Sequence, residues 1–202
     1  AITTKMATDF QKSQTQLVTG AGESQKALAG VSSAMLTMAG DVGQSALALS
    51  SGMFLIESAG YHGATGLTVL RSAAEGAAVG GAQMSTVANA LTTALTDYNM
   101  PASRANAVTS ALIETVASGK TNLEALAGSL GKVMPVASAL GISFQEVTGA
   151  MATMTNAGLS ARFASMNLKT SLLALSAPSA GATKSMQEVG LSSQQVKNTL
   201  DG

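Results

Sequence analysis

Glu57, followed by Ser58 in FLIESAGY, is the residue best suited to acid–base chemistry in this 202-residue sequence. A glutamic acid set in an apolar groove can protonate a glycosidic oxygen, and Phe54, Leu55 and Ile56 supply apolar neighbours. One Glu-Ser pair is readily matched by chance, so Glu57 is read as a polar residue near a helix end. His62, in SAGYHGATG, is the single histidine and could in principle be a general base or a metal ligand. With no Cys, no second His and no acid cluster beside it, nothing completes such a site, and His62 reads as a surface or helix-start residue. The absence of Cys also removes thiolate nucleophiles and disulfides. Gly76 to Gly81 lacks the glycine-lysine pattern of a phosphate loop. No catalytic, cofactor-binding or metal-binding residue is therefore assigned, no cofactor is expected, and the expectation is a chain that is not an enzyme.

The elements that would have to position any site are built from small residues. Charged residues make up 11 % of the chain, against about 25 % in ordinary domains, aromatics only 3 %, and there are 21 Gly. Small side chains let helices approach closely but each buries little apolar area, so stability must come from many weak contacts or from self-association. The 11 basic and 11 acidic residues cancel, and no run of like charge reaches four. That disfavours specific nucleic-acid binding, which needs a basic patch to displace counterions, and capture by an anionic membrane surface. No stretch of 18 apolar residues exists, and the polar start AITTKMATDFQKSQTQ has no signal-peptide core. A chain that begins at Ala1 and stops at Gly202 without a terminal signal is expected to be a fragment of something longer.

Helix start and stop signals recur about every 20 residues. Thr121-Asn-Leu-Glu124, Ser143-Phe-Gln-Glu146 and Ser192-Ser-Gln-Gln195 read as capping boxes, in which hydroxyl and carboxyl or amide bond each other's backbone N–H. Gly119, Gly141, Gly158 and Gly190 stand upstream of such starts, where a left-handed residue would end the preceding helix. Pro101 suits a first turn. These marks predict helices near 3–18, 23–39, 43–59, 64–79, 84–98, 102–118, 122–139, 143–157, 160–177, 180–189 and 192–200, and no strand. The fold class is all-α, an array of short helices delimited by Gly and caps and packed as hairpins or a bundle.

Within these helices Leu123, Leu126, Leu130, Val133, Ala137 and Leu140 follow a 3-4 rhythm, as Leu28, Val31, Met35 and Met38 do more briefly. Gly128, Gly131 and Pro135 interrupt the first run, so it predicts one face of a short helix in a bundle rather than a coiled coil, with a kink or break at Pro135. Gly76 and Gly80 form a small-xxx-small pair that would permit a close crossing, although chance alone supplies such pairs in a Gly-rich chain. Met134, Met151, Met154 and Met166 read as core filler.

From about Ala46 to Ser192 the order of helices and several strings resemble the conserved core region of tail tape-measure proteins of long-tailed phages and prophages. The resemblance is carried by Gly119 and its turn, Val133-Met-Pro135-Val-Ala137, Ala139-Leu-Gly141-Ile-Ser-Phe-Gln-Glu146 and Asn156-Ala-Gly158-Leu-Ser160. SAGYHGATGLTVLRSAAEGAAVGG and VANALTTALTDYNM are similar to the preceding helices. Phe163 departs from the polar residue usual at its position.

Residues 1–45, more polar and outside the resemblance, read as a helical arm or linker; the resemblance implies a tape-measure core over 46–192; and 193–202 read as the truncated start of a following helix. It implies a structural segment acting in tail assembly, in tail-length determination inside the tube and in DNA ejection. The implied partners are further copies of itself, tail-tube and tail-tip proteins, tail-assembly chaperones and, on ejection, the host membrane. The implied location is the tail lumen of the virion, and the host cytoplasm during assembly. A membrane-active helical translocator is the alternative, although Trp and a basic polar face are lacking. A peptidoglycan-degrading domain comes third. The Glu57-Ser58 pair resembles the opening of the lytic transglycosylase signature, but that family's later Gly-Leu-Met-Gln segment is missing.

Overall fold

Each helix begins with backbone N–H groups that have no partner inside it, and most helices here solve this with their own first residue. The computed structural model describes residues 2–190 together with Ser192 and Gln195, and among these it contains eleven α-helices, one short 3-10 turn and no strand. The helices are α1 (Ile2–Ala21), α2 (Gln25–Val42), α3 (Ala46–Ser58), α4 (Gly63–Gly80), α5 (Met84–Asp97), α6 (Ala105–Ser118), α7 (Leu123–Leu130), α8 (Met134–Ala139), α9 (Phe144–Asn156), α10 (Ala161–Ser176) and α11 (Ala180–Glu188). Ser24, Ser45, Asn122, Ser143, Ser160 and Ser179 cap α2, α3, α7, α9, α10 and α11 by accepting the amide three residues on. All-α is thus the observed class.

The boundaries depart from expectation where a second force acts. α7 starts at Leu123 on Asn122, whose Oδ1 accepts the Ala125 N–H at 2.8 Å, so Thr121 is not the cap and Glu124 is free for another partner. The Ser143–Glu146 capping box forms in full. The Ser192–Gln195 pair bonds reciprocally, Ser192 N–H to Gln195 Oε1 at 2.8 Å and Gln195 N–H to Ser192 Oγ at 3.1 Å. The remainder of the helix expected at 192–200, like the segment 193–202 assigned to it, lies outside the described residues. The single helix expected over 122–139 is two, because the chain turns at residues 131–133 and Pro135 sits in the first turn of α8, where its missing N–H costs nothing. Gly141, Gly158 and Gly190 are left-handed as expected, but Gly119 is extended at φ −109 and ψ 167. Its glycine answers a steric need instead: a Cβ there would collide with Thr155 Oγ1 on α9.

The elements pack around α3, α4 and α5. α1 and α2 lie against α3 and α4, α6 bridges α4 to α9, and α7 joins α5 to α10. Leu49, Met53 and Ile56 of α3, Leu70 and Ala73 of α4, and Leu91 and Leu95 of α5 are fully buried. The interrupted 3-4 run is buried from Leu123 through Ala137 across α7 and α8, so one apolar face continues over the break. Met134 and Met151 are core residues and Met154 packs partly against them, whereas Met166 is 42 % exposed and is not core filler. It lies on the same side of α10 as exposed Phe163 and Leu173.

Gly76 and Gly80 are contact positions. A Cβ on Gly76 would lie 2.6 Å from the Thr109 methyl of α6, and one on Gly80 would lie 2.7 Å from the Cβ of Leu123 in α7. Glycine lets α4 touch both neighbours through its backbone. Gly149, inside α9, has nothing within 4 Å of its Cβ position. Gly80→Ala is expected to destabilise the chain by about 1–3 kcal/mol through overpacking, while Gly149→Ala stabilises it by about 0.5–1 kcal/mol through helix propensity. Thermal unfolding of both variants checks this, and equal shifts in the same direction would refute the close-crossing role.

Candidate functional site

Two of the central helices have no cap of their own. α4 begins after His62 and α5 after Gln83, and neither side chain bonds its helix start. Each borrows a glutamate from about 40 residues away. Glu23, in the elbow between α1 and α2, accepts the Gly63 N–H through Oε2 at 2.9 Å and the Ser24 N–H through Oε1 at 2.7 Å. Glu124, in the first turn of α7, accepts the Gln83 N–H through Oε2 at 2.8 Å and the Thr86 hydroxyl through Oε1 at 2.7 Å. A carboxylate at a helix N-terminus also meets the positive end of the helix dipole. Two of the chain's 11 acids therefore serve as interhelical clamps.

Glu57 lies in the last turn of α3, 1 % exposed, with its carboxyl against that of Glu23. Burial, then the bond it donates to Glu23, then repulsion by that carboxylate, push its pKa up to about 8. Glu23 moves the other way. Burial raises its pKa, but the Gly63 amide, the Glu57 proton, the Ser24 amide and the His62 charge together outweigh burial and hold it below the usual range. The pair shares one proton at neutral pH. When Glu57 is ionised neither of its oxygens has a donor, which is costly for a buried charge.

An acid of raised pKa beside an ionised carboxylate has the electrostatics a glycosidase uses. Here the Glu57 carboxyl is buried. The open grooves between α1, α3 and α5 (about 560 Å³) and between α2, α4 and α6 (about 680 Å³) are lined by other residues, chiefly Ser, Thr and small apolar side chains. His62 stands at the start of α4, where its carbonyl accepts the Gly66 N–H at 3.2 Å. Sequence reasoning found Glu57 and His62 but missed Glu23, which joins them. Only the packing of the α1–α2 elbow onto the α3–α4 corner brings these residues together.

Polar contacts bind other helix pairs. Gln14 Nε2 donates to Ser50 Oγ at 3.1 Å, Ser50 donates to Ser13 at 2.8 Å, and Ser32 donates to Gln14 Oε1, linking α1 to α2 and α3. The Ser165 hydroxyl of α10 donates to the Ser129 carbonyl of α7 at 2.8 Å. Tyr98 packs edge-on against Phe144 with ring centres 5.8 Å apart, and burial, with Asp97 and Glu146 nearby, pushes its phenol up to about 12. Among the described residues no group of three or more His, Cys, Asp or Glu is placed to hold a metal ion, and no helix is long and apolar enough to cross a membrane.

These contacts tie the helices to one another, and comparisons with known proteins add a family. The family profile described as phage-related minor tail protein matches residues 32–202. The tape measure protein of Pneumococcus phage Dp-1 is 24 % identical over 192 residues, covering 95 % of this chain and 17 % of that protein. The chain thus spans about a sixth of that relative's length. No solved structure matches.

Because Glu57 binds its proton more tightly when folded, its contribution to stability is complete below the ordinary carboxyl pKa of 4.5 and is lost as pH rises toward about 8. Glu23, held low, contributes in the opposite sense: its share is present above 4.5 and is lost on acidification. Glu57→Gln keeps a neutral donor facing Glu23. It is expected to flatten the alkaline fall in stability, by on the order of 3 kcal/mol at pH 9, when denaturation is followed from pH 5 to 9. A wild-type chain of constant stability over that range would contradict the shared proton. Glu124→Ala, which strips α5 of its cap, should cost about 1–2 kcal/mol in the same assay.

Proposed function

Since the chain belongs to the phage-related minor tail protein family, we propose that it is a folded structural module of a tape-measure protein, acting in tail assembly rather than as the ruler itself. The observation that carries this reading is the pair of glutamate clamps. Glu23 and Glu124 tie residues 40 and 41 positions apart, so the chain folds back on itself. A continuous helix of this length would reach about 300 Å. A module with its helices tied across one another gives up that reach in exchange for a defined surface.

In this reading the parent protein measures the tail inside the tube and leaves with the DNA at ejection, and residues 46–192 are its tape-measure core. Residues 1–45 are an arm whose helices α1 and α2 pack on α3 and α4 and lend Leu17, Val31, Met35 and Met38 to the same hydrophobic core. The module's work is association: with further copies, with tail-tube and tail-tip proteins, and with the assembly chaperones that hold the parent before the tube polymerises. Its place is the tail lumen, after assembly in the host cytoplasm. Burial of Glu57 away from the open grooves supports a structural role over glycoside cleavage.

In-frame deletion of the segment from an intact phage is expected to block assembly or infectivity beyond any change of length, as counted by electron microscopy of tails and by plaque titre. Viable phage whose tails are shortened only in proportion to the residues removed would reverse the proposal, because the segment would then measure by its contour.

A further inference from the structure

α10 has two apolar faces, one buried and one exposed among the described residues. Ala161, Ala164, Ser165 and Leu172 are buried against the neighbouring helices. On the opposite side Phe163, Met166 and Leu173 are 59 %, 42 % and 47 % exposed, and with exposed Thr170 they are spaced 3, 4 and 3 residues apart. That is the spacing of an a/d seam, the pattern by which one helix docks on another. The exposed large apolar side chains elsewhere among the described residues (Met6, Leu36, Leu47, Val79 and Val189) do not repeat at this spacing on one helix.

The charges beside the seam select its occupant. Arg162 and Lys169 precede Phe163 and Thr170, which places both on the same edge, while Asn167 and Ala174 on the other edge are uncharged. α10 contains no acidic residue, and neither cation has a carboxylate within salt-bridge distance among the described residues. Lys132 adds a third cation where it lines a hollow with Arg162. The carboxylate in that hollow, Glu124, is already bonded to Gln83 and Thr86.

We propose that the Phe163–Leu173 face of α10 is a docking surface for a helix of another protein that carries its own apolar seam flanked by carboxylates. A second copy of this chain fits poorly. Two α10 helices packed antiparallel set basic edge against basic edge, and packed parallel they leave every cation unmatched. The two faces divide the labour: the buried one fixes α10 in place, so the exposed one is presented rigid, without ordering cost on docking.

The test uses the whole chain and two designed helical peptides about three heptads long, each with Leu at the seam positions, one flanked by Glu and the other by Lys. At low ionic strength the Glu-flanked peptide is expected to bind at least about tenfold more tightly than the Lys-flanked one by fluorescence anisotropy, with the preference falling as salt rises. Arg162→Gln with Lys169→Gln should remove the preference, and Phe163→Ser with Leu173→Ser should remove binding. These positions are exposed, so circular dichroism should be unchanged. The proposal fails if the peptides bind equally, if neither binds, or if the Ser variants bind as well as wild type. It also fails if sedimentation shows the chain dimerising in a way that the Ser variants abolish, which would make a second copy the occupant.

Discussion

The eleven helices among the described residues have many ends, and satisfying them is the constraint from which the rest of this structure follows. Six helices meet it locally, with a Ser or Asn at their own start. Among the helices without such a cap are α4 and α5, both central, and for them the acceptor arrives through tertiary structure as Glu23 and Glu124. Each bond does two things at once: it completes a helix start and it fixes where a distant segment lies. In a chain with few charges, two carboxylates placed this way, Glu23 buried and Glu124 exposed, each tie a central helix start to a distant segment.

The composition then decides how closely the helices pack. Alanine, serine and glycine bury little area each, so the fold relies on short interaxial distances and on hydroxyl bonds between helices. Gly76, Gly80 and Gly119 occur where a neighbour leaves no room for a Cβ, and the Gln14–Ser50–Ser13 contacts knit α1 to α3. Such a core gains less from each residue than a leucine-rich one, and it tolerates fewer additions at its crossings.

Glu57 has the electrostatics of a reaction centre in a buried setting. A carboxylic acid whose proton is held up to about 8, beside an ionised partner, is the electrostatic arrangement of a general acid. What differs is access, since both carboxyls are buried at the elbow that joins α1–α2 to α3–α4 and the grooves open elsewhere. The shared proton is better understood as what permits two acids to meet at that joint.

The all-α class, the positions of most helix starts, the break near Pro135 and the apolar run from Leu123 to Ala137 were legible in the sequence, because caps, proline and 3-4 spacing act over a few residues. The spacing of Thr121 and Glu124 suggests a capping box, but Glu124 bonds Gln83 instead, since Asn122 takes the cap and frees it. The spacing of Met166 suggests a core position, but spacing identifies an apolar face without saying whether a neighbour covers it. The meeting of Glu23, Glu57 and His62 was invisible for the same reason. Residues far apart in the chain become neighbours only when the α1–α2 elbow closes on α4, and no local pattern records that contact. What the sequence determined by itself were the helices and their ends, which depend on near neighbours. What the tertiary structure alone decided was which ends and which faces would meet, because burial and long-range hydrogen bonds exist only once the helices have packed.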